Sequence, residues 1–151
     1  MCGRYTLFGT AELTKRFNLS AKAGQIHANY NVAPGQIMPV IVDDGGKNKV
    51  LLMKWGLVPV WAKDINIGYK LINARSESVF DKPMWKSSAL HKRCLIPSSG
   101  FYEWKAVDEK MKQPYFIQPK DKKMFSFAGV FSSWKDSEGK ELLTLSLITT
   151  E

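Results

Sequence analysis

A cysteine at the second position sets up the most reactive group this sequence can make. In Met1-Cys2-Gly3-Arg4-Tyr5, loss of one methionine would leave a free α-amine on the carbon next to the one bearing the thiol, a 1,2-aminothiol. An amine condenses with an aldehyde, and the adjacent thiol can then close a thiazolidine ring, so one residue supplies both nucleophiles of a covalent trap. Unperturbed pKa values of about 8 for the amine and about 8.5 for the thiol leave some of each reactive at neutral pH. The ordinary alternative is a small residue that happens to occupy this position.

Other stretches carry reactive or planar groups. Phe101-Tyr102-Glu103-Trp104 sets one carboxylate among three rings, which makes Glu103 a candidate general acid or base. Period-two alternation favours the alternative, in which Glu103 points outward and Tyr102 and Trp104 face in. Asn73 can hydrogen-bond a polar ligand or simply close a turn. Arg4 and Arg75 are planar forks suited to phosphate, or surface arginines. Pro34, and Trp61 near Pro59, offer flat surfaces on which bases stack, although the common fate of tryptophan is the core. Neither His27 nor His91 has a second ligand at metal spacing, and the sequence has no phosphate-cradling glycine loop and no Cys or His cluster. No metal or nucleotide cofactor is therefore expected. Cys94, in Lys92-Arg93-Cys94-Leu95-Ile96-Pro97, reads as a small core residue, and two cysteines do not make a disulfide framework.

Residues 2–8 alternate as a strand, with Tyr5 and Leu7 on one side and Arg4 and Thr6 on the other, so Cys2 would begin a sheet element. Thr10 is a fair N-cap for a short helix through Phe17, with Leu13 and Phe17 facing the core. Asn29 to Gln36 reads as an extended loop around Pro34. The apolar runs Ile37 to Val42 and Lys49 to Trp55, separated by Asp43-Asp44-Gly45-Gly46, give the clearest hairpin. Trp55 to Asp64 is irregular, Tyr69 to Ala74 is a short strand, Ser76 caps a turn, and Pro83 starts a helix running towards Leu90. Further strands are expected at Arg93 to Pro97, Gly100 to Lys105, Tyr115 to Gln118, Met124 to Phe131 and Glu141 to Thr149, with Ser98-Ser99-Gly100 and Asp136-Ser137-Glu138-Gly139 as turns. The implied fold is α+β, a β-rich barrel-like sheet with a few short peripheral helices. Leu142 to Glu151 reads as apolar as a central strand, with nothing after it expected to cover its exit.

A chain of 151 residues suits one domain. No apolar run approaches the roughly 18 residues of a membrane span, and the opening segment lacks the apolar stretch of a signal peptide, so cytoplasmic residence is expected. Twenty-two Lys and Arg against fourteen Asp and Glu give a formal charge of +8. Such an excess favours phosphate-rich partners, although clusters such as Lys120-Asp121-Lys122-Lys123 look like solvated turns.

Five motifs in order resemble one family: Met1-Cys2-Gly3-Arg4-Tyr5, Tyr30-Asn31-Val32-Ala33-Pro34, Trp55-Gly56-Leu57-Val58-Pro59 with Trp61-Ala62, Ile72-Asn73-Ala74-Arg75-Ser76-Glu77, and Arg93 to Pro97 with Gly100 to Trp104. They are similar to the SOS response-associated peptidases, the abasic-site processing proteins. That resemblance implies thiol-dependent self-cleavage of Met1, then capture of abasic sites in single-stranded DNA as a covalent thiazolidine, a crosslinking and lyase-type activity of the DNA-damage response. It implies Cys2 as nucleophile, Glu103 as proton shuttle and Asn73 as the group orienting sugar or amine. Arg4 and Arg75 would hold flanking phosphates, and Pro34 and Trp61 would stack on or wedge against neighbouring bases. It further implies a monomer with no membrane partner, found at the nucleoid when DNA-bound. The family places a catalytic histidine in a His-x-Arg-Met-Pro stretch after a strand resembling Leu142 to Thr149. The expectation is therefore a single domain over residues 1–151, C-terminally truncated, with reduced or no activity. Two other readings stay open: a non-catalytic single-stranded DNA-binding module, and a peptidase acting on other proteins.

Overall fold

The computed structural model describes residues 2–20 and 26–150. Its strands are β1 (Arg4–Leu7), β2 (Asn29–Val32), β3 (Ile37–Asp43), β4 (Asn48–Trp55), β5 (Asn73–Arg75), β6 (Arg93–Ser98), β7 (Gly100–Ala106), β8 (Lys112–Ile117), β9 (Phe125–Lys135) and β10 (Glu141–Thr149). The helices are α1 (Leu13–Arg16) and α2 (Pro83–His91), with 3₁₀ turns at Thr10–Glu12 and Ile65–Lys70. Strands β4-β3-β6-β9-β10 close into a barrel, because β10 pairs in parallel with β4 at Thr144↔Lys54 and Leu145↔Trp55. A second, antiparallel sheet runs β2-β1-β7-β8. The α+β, barrel-like expectation holds, and among the described residues no helix is long and apolar enough to cross a membrane.

One edge of β10 is shared by two strands. After β4 leaves at Trp55, β5 takes its place in parallel, with Leu147↔Asn73, Ile148↔Ala74 and Thr149↔Arg75. The intervening loop is tied down by Gly56 N–H donating to Leu145 O (2.8 Å), Leu57 N–H to Leu71 O (3.1 Å) and Leu147 N–H to Ile72 O (3.0 Å). Trp55 Nε1–H also donates to Ile72 O (2.9 Å). Asn73 is thus fixed by a ladder of backbone bonds, each satisfying a group that would be costly to bury unpaired.

The two sheets are joined by a polar corner. Residues Ser98-Ser99-Gly100 were expected as a turn; the chain bends at Ser99 alone, between the end of β6 and the start of β7, and so crosses from barrel to second sheet. Ser99 N–H donates to Thr6 O (2.9 Å), the Ser99 hydroxyl donates to Phe8 O (2.7 Å), and Thr6 Oγ1–H donates to Gly100 O (3.1 Å). This network explains why Thr6 is buried, contrary to the alternation of residues 2–8: its polar side meets the corner, not water. Below the corner, Tyr5 packs on Trp55 and Phe127 with ring centroids 5.4 and 5.8 Å apart. A smaller core of Leu57, Leu71, Ala74, Val79, Trp85 and Ala89 lies under α2.

Several local expectations are corrected. Asn29 to Val32 is a strand and not a loop, because Tyr5 and Leu7 of β1 supply the pairing partners that the sequence cannot reveal. Tyr69 to Ala74 divides into the end of a 3₁₀ turn and a three-residue strand. Thr10 does not cap its helix; Gly9 stands at that position, and the Thr10 hydroxyl donates to Ile26 O (2.9 Å). The Ser76 hydroxyl bonds the neighbouring Glu77 carboxylate (2.9 Å).

Gly56 combines φ +122° with a close approach: a Cβ there would lie 2.7 Å from the Gly68 carbonyl oxygen. Gly46 has φ +85° and open space around it. In urea unfolding, Gly56→Ala is expected to cost about 3 kcal/mol and Gly46→Ala about 1 kcal/mol; equal costs would show that the Gly56–Gly68 approach does not constrain the loop.

Candidate active site

Cys2 enters at the head of β1 and is buried, at 6% exposure. Its carbonyl oxygen accepts a hydrogen bond from Asn73 Nδ2 (2.9 Å), a contact spanning 71 residues between β5 and the chain's first turn of sheet. The other polar atom of the Asn73 side chain, Oδ1, is buried and has no hydrogen-bond partner among the described residues, which leaves a strong acceptor on the same side chain. The Cys2 thiol leans on its own strand, Sγ lying 3.6 Å from Arg4 O.

Burial pushes the Cys2 thiol up from its usual value to about 11; hydrogen bonding to the Arg4 backbone opposes the shift, and the negative charge of Glu103 adds to it. Burial first, then the neighbouring Cys2, raises the Tyr5 phenol as well. Cys94 is pushed up to about 12 by burial alone, fitting a small core residue.

Glu103 is within electrostatic reach of the thiol because of the β1–β7 register. Arg4↔Tyr102 and Tyr5↔Phe101 put Glu103 on the face of Tyr5 and Phe101, and put Tyr102 and Trp104 on the face of Arg4. The outward reading of Glu103 is therefore overturned. Phe101 is the residue that faces the core here, packing on Phe127 with ring centroids 5.7 Å apart, so the alternation runs in the opposite phase.

Cys2, Asn73 and Glu103 are thus brought together, with Arg4 adjoining. Arg75 lies two residues beyond Asn73 on β5 and is exposed. Pro34 sits in the turn from β2 to β3, whose Gly35 N–H donates to Trp55 O (2.7 Å). Trp61 is 58% exposed in the loop after β4, beside Ala62, whose carbonyl accepts from Trp134 Nε1–H (2.7 Å). Pro34 and Trp61 therefore have anchors of their own, the Pro34 turn bonded to the last residue of β4 and the Trp61 loop following that strand. His27 and His91 are exposed, and no metal-holding group of three or more ligating residues occurs among the described residues.

Sequence reasoning missed Asn31. Its Oδ1 accepts from Arg4 Nη1 (2.8 Å), fixing the guanidinium. Only knowledge that β2 pairs with β1 would have exposed that contact.

The fold and site define a class: a small β-barrel protein with an N-terminal thiol, an asparagine clamped to its backbone and a carboxylate beside it. The profile of the SOS response associated peptidase (SRAP) family matches residues 1–151, and the chain belongs to that family. It is 44% identical over 154 residues to the abasic site processing protein YoqW of Bacillus subtilis (strain 168), covering all of this chain and 69% of that protein. The Gallus gallus abasic site processing protein HMCES is 32% identical over 161 residues, 86% of this chain and 48% of the relative. A crystal structure from Bacteroides thetaiotaomicron superposes with a TM-score of 0.88 at 28% identity, over 99% of this chain and 68% of that one.

Since alkylation requires thiolate, iodoacetamide labelling of Cys2 in the folded, Met1-bearing chain should rise with pH up to about 11. At pH 8 it should run about a hundredfold slower than in the urea-unfolded chain. A labelling rate already level between pH 7 and pH 8.5 would contradict this environment.

Proposed function

We propose that this protein captures abasic sites in single-stranded DNA as a covalent adduct at Cys2, after removal of Met1, and so acts in the response to DNA damage. The observation that carries the reading is the Asn73–Cys2 hydrogen bond beside Glu103, which joins an amine-bearing residue, a polar clamp and a proton carrier in one half-buried place. The relatives named as abasic site processing proteins support the same substrate class. The reading treats residues 1–151 as one domain.

Hydrolysis of the Met1–Cys2 amide consumes one water, releases methionine and frees the Cys2 α-amine. The amine adds to the C1′ aldehyde of the ring-opened sugar, and loss of water gives an imine. The thiol sulfur then adds to the imine carbon while its proton passes to the nitrogen, closing the thiazolidine. Ring closure needs the imine carbon, so the amine acts first; burial raises the thiol, and the sulfur then needs a base to take its proton. Glu103, whose charge the thiol already senses, is that base; it also returns protons during sugar ring opening. Asn73 holds the Cys2 backbone through Nδ2, and its unpartnered Oδ1 receives an N–H of the freed amine or a sugar hydroxyl. Arg4, steadied by Asn31, and Arg75 bind phosphates flanking the lesion, and Pro34 and Trp61 meet neighbouring bases.

Intact mass measured with and without an abasic single-stranded oligonucleotide tests the reading. The wild type should lack Met1 and form a one-to-one adduct, Glu103→Gln should slow capture by about a hundredfold or more, and Cys2→Ala should form none. A Cys2→Ala adduct in wild-type yield, or retained Met1 with only salt-sensitive, reversible binding, would overturn it in favour of a plain DNA-binding module.

A further inference from the structure

Trp61 is carried on a turn that one face of the barrel clamps from both ends. Residues 59–62 form the turn, closed by Ala62 N–H donating to Pro59 O (2.9 Å), with Val60 and Trp61 at its centre. Both central side chains stand open to solvent, at 65% and 58% exposure. Beside the turn run β9 and β10, whose register pairs Trp134 with Leu142 and Ser132 with Thr144, so that Trp134 and Thr144 share a face. The buried Thr144 hydroxyl accepts from Val58 N–H (2.8 Å), just before the turn. The indole N–H of Trp134, itself buried, donates to Ala62 O (2.7 Å), at the end of the turn.

The two clamps are not equivalent. The Thr144 bond, with the backbone bonds of Gly56 and Leu57, fixes where the chain leaves β4, and would do so whatever happened at the tip. Ala62 lies beyond the exposed pair. Without the indole bond the turn would be held on its β4 side alone, and Trp61 would swing about Val58. A buried indole N–H needs an acceptor wherever it sits; here that acceptor is the carbonyl next to the exposed ring. A ring that meets a base binds better when its orientation is set beforehand, because no ordering cost then falls on the encounter.

We infer that Trp134 is a positioning residue for abasic-site capture that acts through Trp61: its hydrogen bond to Ala62 O holds the turn, so that the Trp61 ring is already placed for a base beside the lesion. This rests on the reading of Trp61 as a base contact in the capture complex. Trp134 reaches neither the strand nor the reacting atoms. Its contribution is therefore to affinity for the strand, and not to the rate of adduct formation once the strand is bound.

The test is a double-mutant cycle read on adduct formation with a single-stranded oligonucleotide carrying one abasic site. Trp134→Phe keeps a buried ring and removes the N–H; it should raise the half-saturating concentration roughly tenfold and leave the rate at saturation within about twofold. In a Trp61→Ala background the same change should have an effect below about twofold, since the two residues act as one unit. An unchanged half-saturating concentration, a loss confined to the rate at saturation, or a full effect in the absence of Trp61 would overturn the assignment. Should Trp134→Phe fail to fold, the wild type decides. By reciprocity a bound strand holds the clamp shut, so deuterium exchange of the Trp134 indole N–H, followed by NMR, should slow roughly tenfold with a saturating undamaged strand. Exchange indifferent to the strand would overturn the role equally. If wild type forms no adduct at all, the reading of Cys2 fails separately, and the same cycle read on equilibrium binding of the undamaged strand decides the role of Trp134.

Discussion

The hydrogen bond from Asn73 Nδ2 to the Cys2 carbonyl is the contact on which the rest of the site depends. It ties the barrel to the second sheet at the point where the reactive residue enters. For the bond to form, Asn73 must be held by something other than its own three-residue strand, since so short a strand has little stability of its own. The shared edge of β10 supplies that support: β4 uses Thr144 and Leu145, and β5 uses the next stretch of the same edge from Leu147. Barrel closure and asparagine placement are thus two consequences of one strand's pairing. Cys2 is likewise held from the other side, by β1 pairing with both β2 and β7.

Burial of Cys2 has a chemical meaning beyond packing. A thiol shifted to about 11 is almost wholly protonated at neutral pH, and so is shielded from alkylation and oxidation. The cost is lost nucleophilicity, which an adjacent base can restore at the moment it is needed. The linkage to folding runs in one direction. Cys2, Cys94 and Tyr5 are all raised in the folded state, so their contribution to stability is complete below about pH 9 and declines as the unfolded chain begins to ionise above it. The site is therefore compatible with neutral pH and weakened by alkali.

Much of the fold was legible in the sequence where the signal is local. The β3–β4 hairpin follows from two apolar runs around Asp43-Asp44-Gly45-Gly46, and α2 begins at Pro83 as its residue type requires. What was hidden is non-local. Asn29–Val32 has too few apolar residues to declare itself a strand, and becomes one because β1 offers an edge. Thr6 looks like the polar side of a half-exposed strand until the Ser98-Ser99-Gly100 corner comes to cover it. For the site, residue types and motifs pointed to Cys2, Asn73 and Glu103, but the phase of β7 did not follow from alternation. A strand with aromatic residues at three of four successive positions satisfies either phase, and only the pairing of Phe101 with Tyr5 chooses between them.

That choice of phase divides the work of the second sheet. One face of β7 sends Phe101 into the core and Glu103 towards Cys2; the other sends Tyr102 and Trp104 towards Arg4. The carboxylate beside the thiol and a ring-lined cavity beside Arg4 are therefore set by the same backbone register, one residue apart. A slip of one position would exchange the faces, placing Glu103 beside Arg4 and an aromatic ring against the thiol. The corner prevents the slip. Hydrogen bonds from Ser98, Ser99 and Thr6 fix where β7 begins, and Gly100 has no room for a Cβ, since one would lie 2.9 Å from Ile117 O. The serines and glycine of this corner touch no reacting atom in the proposed chemistry, yet they determine which face of the strand carries the carboxylate.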